Sequence, residues 1–219
     1  MIGSTNSVAQ VAATRQRTQK GTDMTATTGL VIALVALAGW FVLTWNRLVE
    51  LRNRWRNAFA QIDVQLKRRH DLVPNLVETA RAYLAHERGT LEAVVQARGL
   101  ATQARAAAAA DPSDARGLSR LDAAEAGLAG SLGRLMVLAE AYPELKADRT
   151  MSELTEELTS TENRIGFARQ AFNDAVMTYN TARESLPANI VATVGGFGQA
   201  ALLASTRSPA ERAAPSVSF

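Results

Sequence analysis

A chain of 219 residues has room for one membrane-spanning helix and one soluble domain of ordinary size. It contains no cysteine, which excludes disulfides, thiolate metal sites and Cys nucleophiles, and its net charge of +3 gives no global field for nucleic acid. Aromatics make up 5% of the residues, and alanine is abundant, a balance that suits helices rather than β-sandwiches.

Residues 1–23 carry Arg15, Arg17 and Lys20 against Asp23 in a Ser/Thr/Gln/Ala-rich stretch, which reads as a disordered extension. Met24 offers a second start; translation from there would leave that extension out. From Met24 to Trp45 the chain carries no charge. A helix rises about 1.5 Å per residue, so about 20 such residues cross a hydrocarbon core of about 30 Å. A cleaved signal would need a small-residue cleavage site after the apolar run, and Trp40-Phe41-Val42-Leu43-Thr44-Trp45 supplies none. Residues 24–46 are therefore expected to span a membrane. Trp40 and Trp45 suit one interface, and Arg47, Arg52, Arg54 and Arg56 suit the anionic headgroups beside it. If Met24 is the start, these arginines place the following domain in the cytoplasm, N-terminus out and C-terminus in. If residues 1–23 are present, three cations face four and the rule does not decide.

The spacing of apolar residues predicts an all-α domain over residues 47–186. Leu48, Leu51, Trp55, Phe59, Ile62 and Leu66 form one stripe, which the cations at 67–69 would close as a helix C-terminus. Asp71 is expected as the N-cap of a second helix with Pro74 in its first turn, running through Leu76, Ala80, Tyr83, Leu91 and Val94 into the alanines at 106–110. The Asp111-Pro112-Ser113-Asp114 break precedes a third stripe: Leu118, Leu121, Leu128, Leu132, Leu135, Ala139 and Tyr142. After Tyr142-Pro143 and a loop over 144–149, the fourth segment is the most regular. Leu154, Leu158, Thr161, Ile165, Ala168, Phe172, Ala175, Tyr179, Ala182 and Leu186 alternate steps of four and three, as in a coiled-coil seam. Short loops between long helices imply an up-down antiparallel bundle. Residues 187–219 form a tail that would dock on the bundle, lie on a membrane surface or meet a partner, with docking the default for its apolar patch.

The residues that could carry chemistry are few. His70 and His86, placed on a common helix, would lie about 160° apart and could not share a metal. His86-Glu87 is followed by Thr90 where a zinc-protease motif requires histidine. Bundle metal sites use Glu-x-x-His, and here Lys67 and Tyr83 hold the glutamate places. His70-Asp71 reads as capping and charge placement. Gly195-Gly196-Phe197-Gly198 lacks the strand and helix of a phosphate loop. The polar residues near the seam, Gln61, Asp63, Gln65, Asn75, Glu78, Asn163, Asn173 and Asn180, read first as register-fixing contacts and second as an interhelical ligand site. Lys67, Arg68 and Arg69 lie about 30 Å beyond the span along a straight helix. That is past the Debye length of about 10 Å, so capping, self-association or a partner fits them better than lipid.

Three ordered stretches carry a family likeness. Residues 60–78 (AQIDVQLKRRHDLVPNLVE), then TENRI at 161–165 with ARQAFNDAV at 168–176, and Tyr179-Asn180 together resemble LemA-family bacterial membrane proteins; residues 211–219 resemble the family's C-terminus. The motif positions are Gln61, Asp63, Arg68, Arg69, His70, Asp71, Pro74, Asn75, Glu162, Asn163, Asn173, Tyr179 and Asn180. The stretch from Gly198 to Thr206 departs from the more acidic and aromatic tail frequent in such proteins. The resemblance implies a single-span protein of the bacterial cell membrane with a four-helix, coiled-coil-like bundle and no established enzymatic activity. The expected function is a non-enzymatic scaffold in envelope organisation or stress, with no catalytic, cofactor or metal residue. Its partners would be the bilayer and either a second copy or another membrane protein, with no nucleic acid and no small-molecule substrate evident. The alternative is a ligand- or metal-dependent sensor or hydrolase built on the interhelical polar residues.

Overall fold

The computed structural model describes residues 4–203, with side chains from residue 27 onward. The C-terminal family motif at 211–219 therefore lies outside the described residues, as do the side chains of Arg15, Arg17, Lys20 and Asp23. The chain divides into two compact units, residues 1–47 and 48–219.

The first unit is helical from Ser4, in α1 (Ser4–Arg81). Residues 4–23 of this helix fall in the extension expected to be disordered and carry no proline to stop a helix. Its apolar run is exposed on all sides, with Leu30, Ile32, Leu34, Val35, Leu37 and Leu43 all uncovered. It is the one described helix long and apolar enough to cross a membrane. Trp45 packs on Phe41, ring centroids 6.1 Å apart.

The second unit is an up-down bundle of the remainder of α1, α2 (Arg88–Ala110), α3 (Ala115–Glu140) and α5 (Arg149–Glu184), with a single turn α4 (Pro143–Lys146) and a short α6 (Ala188–Val194). The helix starts follow local chemistry. Asp114 caps α3 by accepting from the Arg116 and Gly117 amides, and Asp148 caps α5 by accepting from Met151. Pro143 opens α4 at a position where its missing donor costs nothing.

One expected boundary is wrong. α1 does not stop at His70; it passes through Pro74 and ends at Arg81. A proline inside a helix leaves the carbonyl four residues earlier without its donor. Here that carbonyl belongs to His70, and Arg98 of α2 supplies the donor, Nε to O at 2.7 Å. Asp71 is accordingly mid-helix and exposed rather than a cap. The chain reverses at 82–87 instead, where the Ala80 carbonyl accepts from both Tyr83 (3.1 Å) and Leu84 (2.9 Å). No residue between 82 and 87 is a strong breaker. The reversal buries Leu84 and Leu91 in the core, so packing selects it. It also removes the common helix assumed for the histidines: His70 is buried in α1, while His86 is exposed in the turn.

The interior is layered along the bundle. Toward the end where the chain enters from residue 47, Trp55 and Phe59 of α1 interlock with Phe172 and Tyr179 of α5, centroids 5.8–6.3 Å apart. Edge and tilted ring pairs of this kind add about 0.5–1.5 kcal/mol beyond burial. At the other end Val73, Leu76, Val77, Leu84, Leu91, Val94, Leu128, Leu132, Leu135, Leu145 and Met151 form an aliphatic core. Most of the expected stripes face inward. Leu186 does not: α5 ends at Glu184 and Leu186 is exposed.

Candidate functional site

Between the aromatic and aliphatic layers the bundle carries a belt of ionic residues. Arg69 occupies the α1 stripe between Leu66 and Val73, where an apolar residue would be expected, and is 2% exposed. It pairs with Glu125 of α3 and, at 2.6 Å, with Glu162 of α5. The other Glu125 oxygen lies 2.8 Å from His70 Nε2. Arg169 occupies the equivalent stripe position on α5, between Ile165 and Phe172, and pairs with Asp122 of α3 at 2.9 Å. At the belt's edge, Arg105 of α2 pairs with Asp63 at 2.6 Å, and Arg68 with Glu157 at 2.5 Å. Each of the four helices contributes, and the pairs cross from element to element.

The electrostatics are settled by burial. Removal from water is the largest influence on His70, and Arg69, Arg105 and Arg98 add to it, together lowering its pKa to about 4. The ring is therefore neutral at pH 7. As a neutral imidazole it donates from Nε2 to the Glu125 carboxylate and offers Nδ1 to the Thr102 hydroxyl at 3.4 Å. The Glu125 carboxylate stands between one arginine and one imidazole donor. Such an arrangement locks helices in register; it presents no free base or nucleophile.

A second constellation holds the chain after α6. Asn180 faces Ala200 with its whole amide: Nδ2 donates to the Ala200 carbonyl (2.9 Å) and Oδ1 accepts from the Ala200 amide (3.1 Å). Asn173 does the same with Leu203, at 2.9 and 3.0 Å. Tyr179 donates to the Gly198 carbonyl at 2.8 Å, and Arg183 to that of Phe197 at 2.8 Å. The two asparagines stand seven residues apart, about 10.5 Å along a helix, and their targets three residues apart, about 10 Å in an extended chain. The asparagine side chains act as a strand edge for the tail. Phe197, Ala200 and Leu203 bury their side chains against the bundle, and Arg52 lies over the Phe197 ring at 5.1 Å.

The residues singled out from the sequence thus separate. Asp63, Arg68, Arg69, His70 and Glu162 meet in the belt; Asn173, Tyr179 and Asn180 meet at the tail. Gln61, Asp71, Pro74, Asn75 and Asn163 are exposed and join neither. Of the set expected at the membrane interface, Arg52 stacks on the tail, Arg54 pairs with Glu50 at 2.6 Å, and Arg56 lies over the Trp55 ring at 5.6 Å. Trp40 is half-buried, while Trp45 and Arg47 are exposed. Glu125, Asp122, Arg98, Arg105 and Arg169 were missed. Glu125 had a readable signal: it fills the one vacant place in the α3 stripe, four residues after Leu121 and three before Leu128.

The LemA family profile matches residues 58–219, the whole of the belt and the tail contacts. The chain belongs to the LemA family. It is also similar to two Paramagnetospirillum magneticum proteins, Magnetosome protein MamQ 2 and MamQ 1, each 26% identical over 188 residues that cover 78% of this chain and 68% of the relative. Magnetosome protein MamQ of Magnetospirillum gryphiswaldense is 25% identical over 182 residues, covering 76% and 67%. None of these names is that of an enzyme. Within this LemA chain, no group of three or more His, Cys, Asp or Glu residues is placed to hold a metal ion among the described residues.

Proposed function

We propose that this LemA-family protein is a non-enzymatic, membrane-anchored helical scaffold that assembles with itself or with another membrane protein in envelope organisation or stress. The observation that carries the reading is the use already made of the interior polar residues. Arg69, Glu125, Glu162 and His70 engage one another, and Asn173 and Asn180 engage the chain's own backbone. A sensor or hydrolase would need some of these groups for a ligand. Crosslinking in cells and native mass spectrometry of the detergent-solubilised protein test the scaffold. Oligomers or a co-purifying membrane protein are expected; a strict monomer with no interactor would count against it. Metal analysis and a ligand thermal-shift screen address the alternative, for which bound metal or a clear shift is required.

The orientation we propose is N-terminus out and C-terminus in; it rests on the cations that follow the apolar run and on translation from Met24, since Arg15, Arg17 and Lys20 would otherwise balance them. A C-terminal fusion should then fluoresce as a cytoplasmic reporter and show no periplasmic phosphatase activity. The opposite pattern reverses the assignment.

A further inference from the structure

α6 uses only one side of itself to dock. Val191 and Ala192 are buried against the bundle, whereas Ile190 and Val194, one turn apart on the opposite side, are 60% and 72% exposed. Leu186, just ahead of the helix, is 80% exposed. Three aliphatic side chains within nine residues are thus left uncovered by a segment whose backbone is held: the amides of Ser185, Asn189, Ile190, Gly195, Gly196 and Phe197 each donate to a backbone carbonyl.

The position of this face is set by the antiparallel pairing of α1 with α5. Arg69 stands opposite Glu162, Phe59 opposite Phe172 and Trp55 opposite Tyr179. Each turn toward the C-terminus of α5 is therefore a turn toward Leu48, where the chain enters the bundle. The chain leaves α5 at Glu184 and returns at Phe197, whose carbonyl is held by Arg183. Residues 186–196 are consequently an excursion from the entry end of the bundle. Leu48 is three residues past Trp45, the last apolar residue of the uncharged run.

From this placement we propose that Leu186, Ile190 and Val194 lie in the interfacial layer of the bilayer crossed by residues 24–46, as a second, shallow membrane contact. The inference rests on the membrane-span reading. Lipid suits the face better than protein does. Three aliphatic side chains are far short of the roughly 1,200 Å² that a stable protein interface buries. A face tethered beside a membrane needs little intrinsic affinity, because the tether supplies a high effective concentration. Arg56, exposed one residue past Trp55 in the layer at that end, suits anionic headgroups.

The absence of cysteine makes a direct test available. Full-length single-site variants Ile190→Cys, Val194→Cys, Leu43→Cys within the apolar run and Val137→Cys on the exposed face of α3 would be labelled with nitrobenzoxadiazole. They would be reconstituted in phosphatidylethanolamine/phosphatidylglycerol vesicles carrying nitroxide-labelled acyl chains. The labels at 190 and 194 are expected to emit to the blue and to be quenched several-fold more than the label at 137. Quenching at 43 with none at 190 and 194 would overturn the inference and leave the span intact. A blue shift at 190 and 194 without quenching would also overturn it, assigning the face to protein. Loss of quenching at 43 would remove the span and the inference together.

Discussion

Glu125 shows how much one side chain can decide. It is a carboxylate on a leucine stripe, held between Arg69 and His70 with almost no exposure. Breaking a buried ion pair by removing one partner costs about 3–5 kcal/mol, because the other charge is left uncompensated. Glu125→Gln should lower stability by that order in a urea titration of the full chain in micelles, followed by circular dichroism. His70 adds a pH dependence with a definite sign. Its folded pKa of about 4 lies below the unfolded value of 6.5, so the unfolded chain takes up the proton first on acidification. The stabilisation is complete above pH 6.5, falls as the pH drops toward 4, and amounts to about 3 kcal/mol. His70→Gln should flatten that part of the stability profile relative to the unaltered protein. These residues were only half legible in the sequence. Arg69 and His70 stood out as a motif, but their partner lies 55 residues away on another helix, and no local rule joins them.

Elements were more legible than their ends. The stops at Asp111-Pro112 and Tyr142-Pro143 read correctly, because capping and proline chemistry are local. Pro74 was misread for a complementary reason: whether a proline breaks a helix depends on whether something else satisfies the carbonyl it frees. Arg98 does so from α2. Arg98→Ala should therefore cost about 1–3 kcal/mol, the penalty of a buried carbonyl left unmet. Pro74→Ala alone should change little. In the double variant the new amide at 74 can reach the His70 carbonyl, so the two effects should be strongly non-additive in a double-mutant cycle. The tail contact gives a similar test. An aspartate at 180 would keep the acceptor and lose the donor, placing a carboxylate against the Ala200 carbonyl. Asn180→Asp should raise hydrogen exchange and proteolysis across 197–203 while leaving α5 protected.

Across the whole molecule, all-α class, family and bundle topology were readable from periodicity and ordered motifs, since both are properties of long stretches of sequence. The division of the interior into an aromatic layer, an ionic belt and an aliphatic layer was not, because it depends on which turns of four helices fall level. The belt's worth is in alignment more than in net stability. Replacing Arg69 with Met and Glu125 with Leu together should recover most of the stability lost in the single variant. Sites along α1 and α5 should then exchange amide hydrogens less uniformly, as neighbouring registers become accessible.

The contact between α5 and the tail has a consequence for how this protein tolerates change in length. Seven residues of helix and three of extended chain cover nearly the same distance, so Asn173 and Asn180 act as a gauge with two marks. One residue added between Ala200 and Leu203 lets at most one asparagine find its peptide, and so does one residue deleted from α5 between the marks. Lengthening both segments in that ratio, seven against three, keeps them in step. The tail is thus calibrated against α5, and an insertion in either is silent only when the other grows with it.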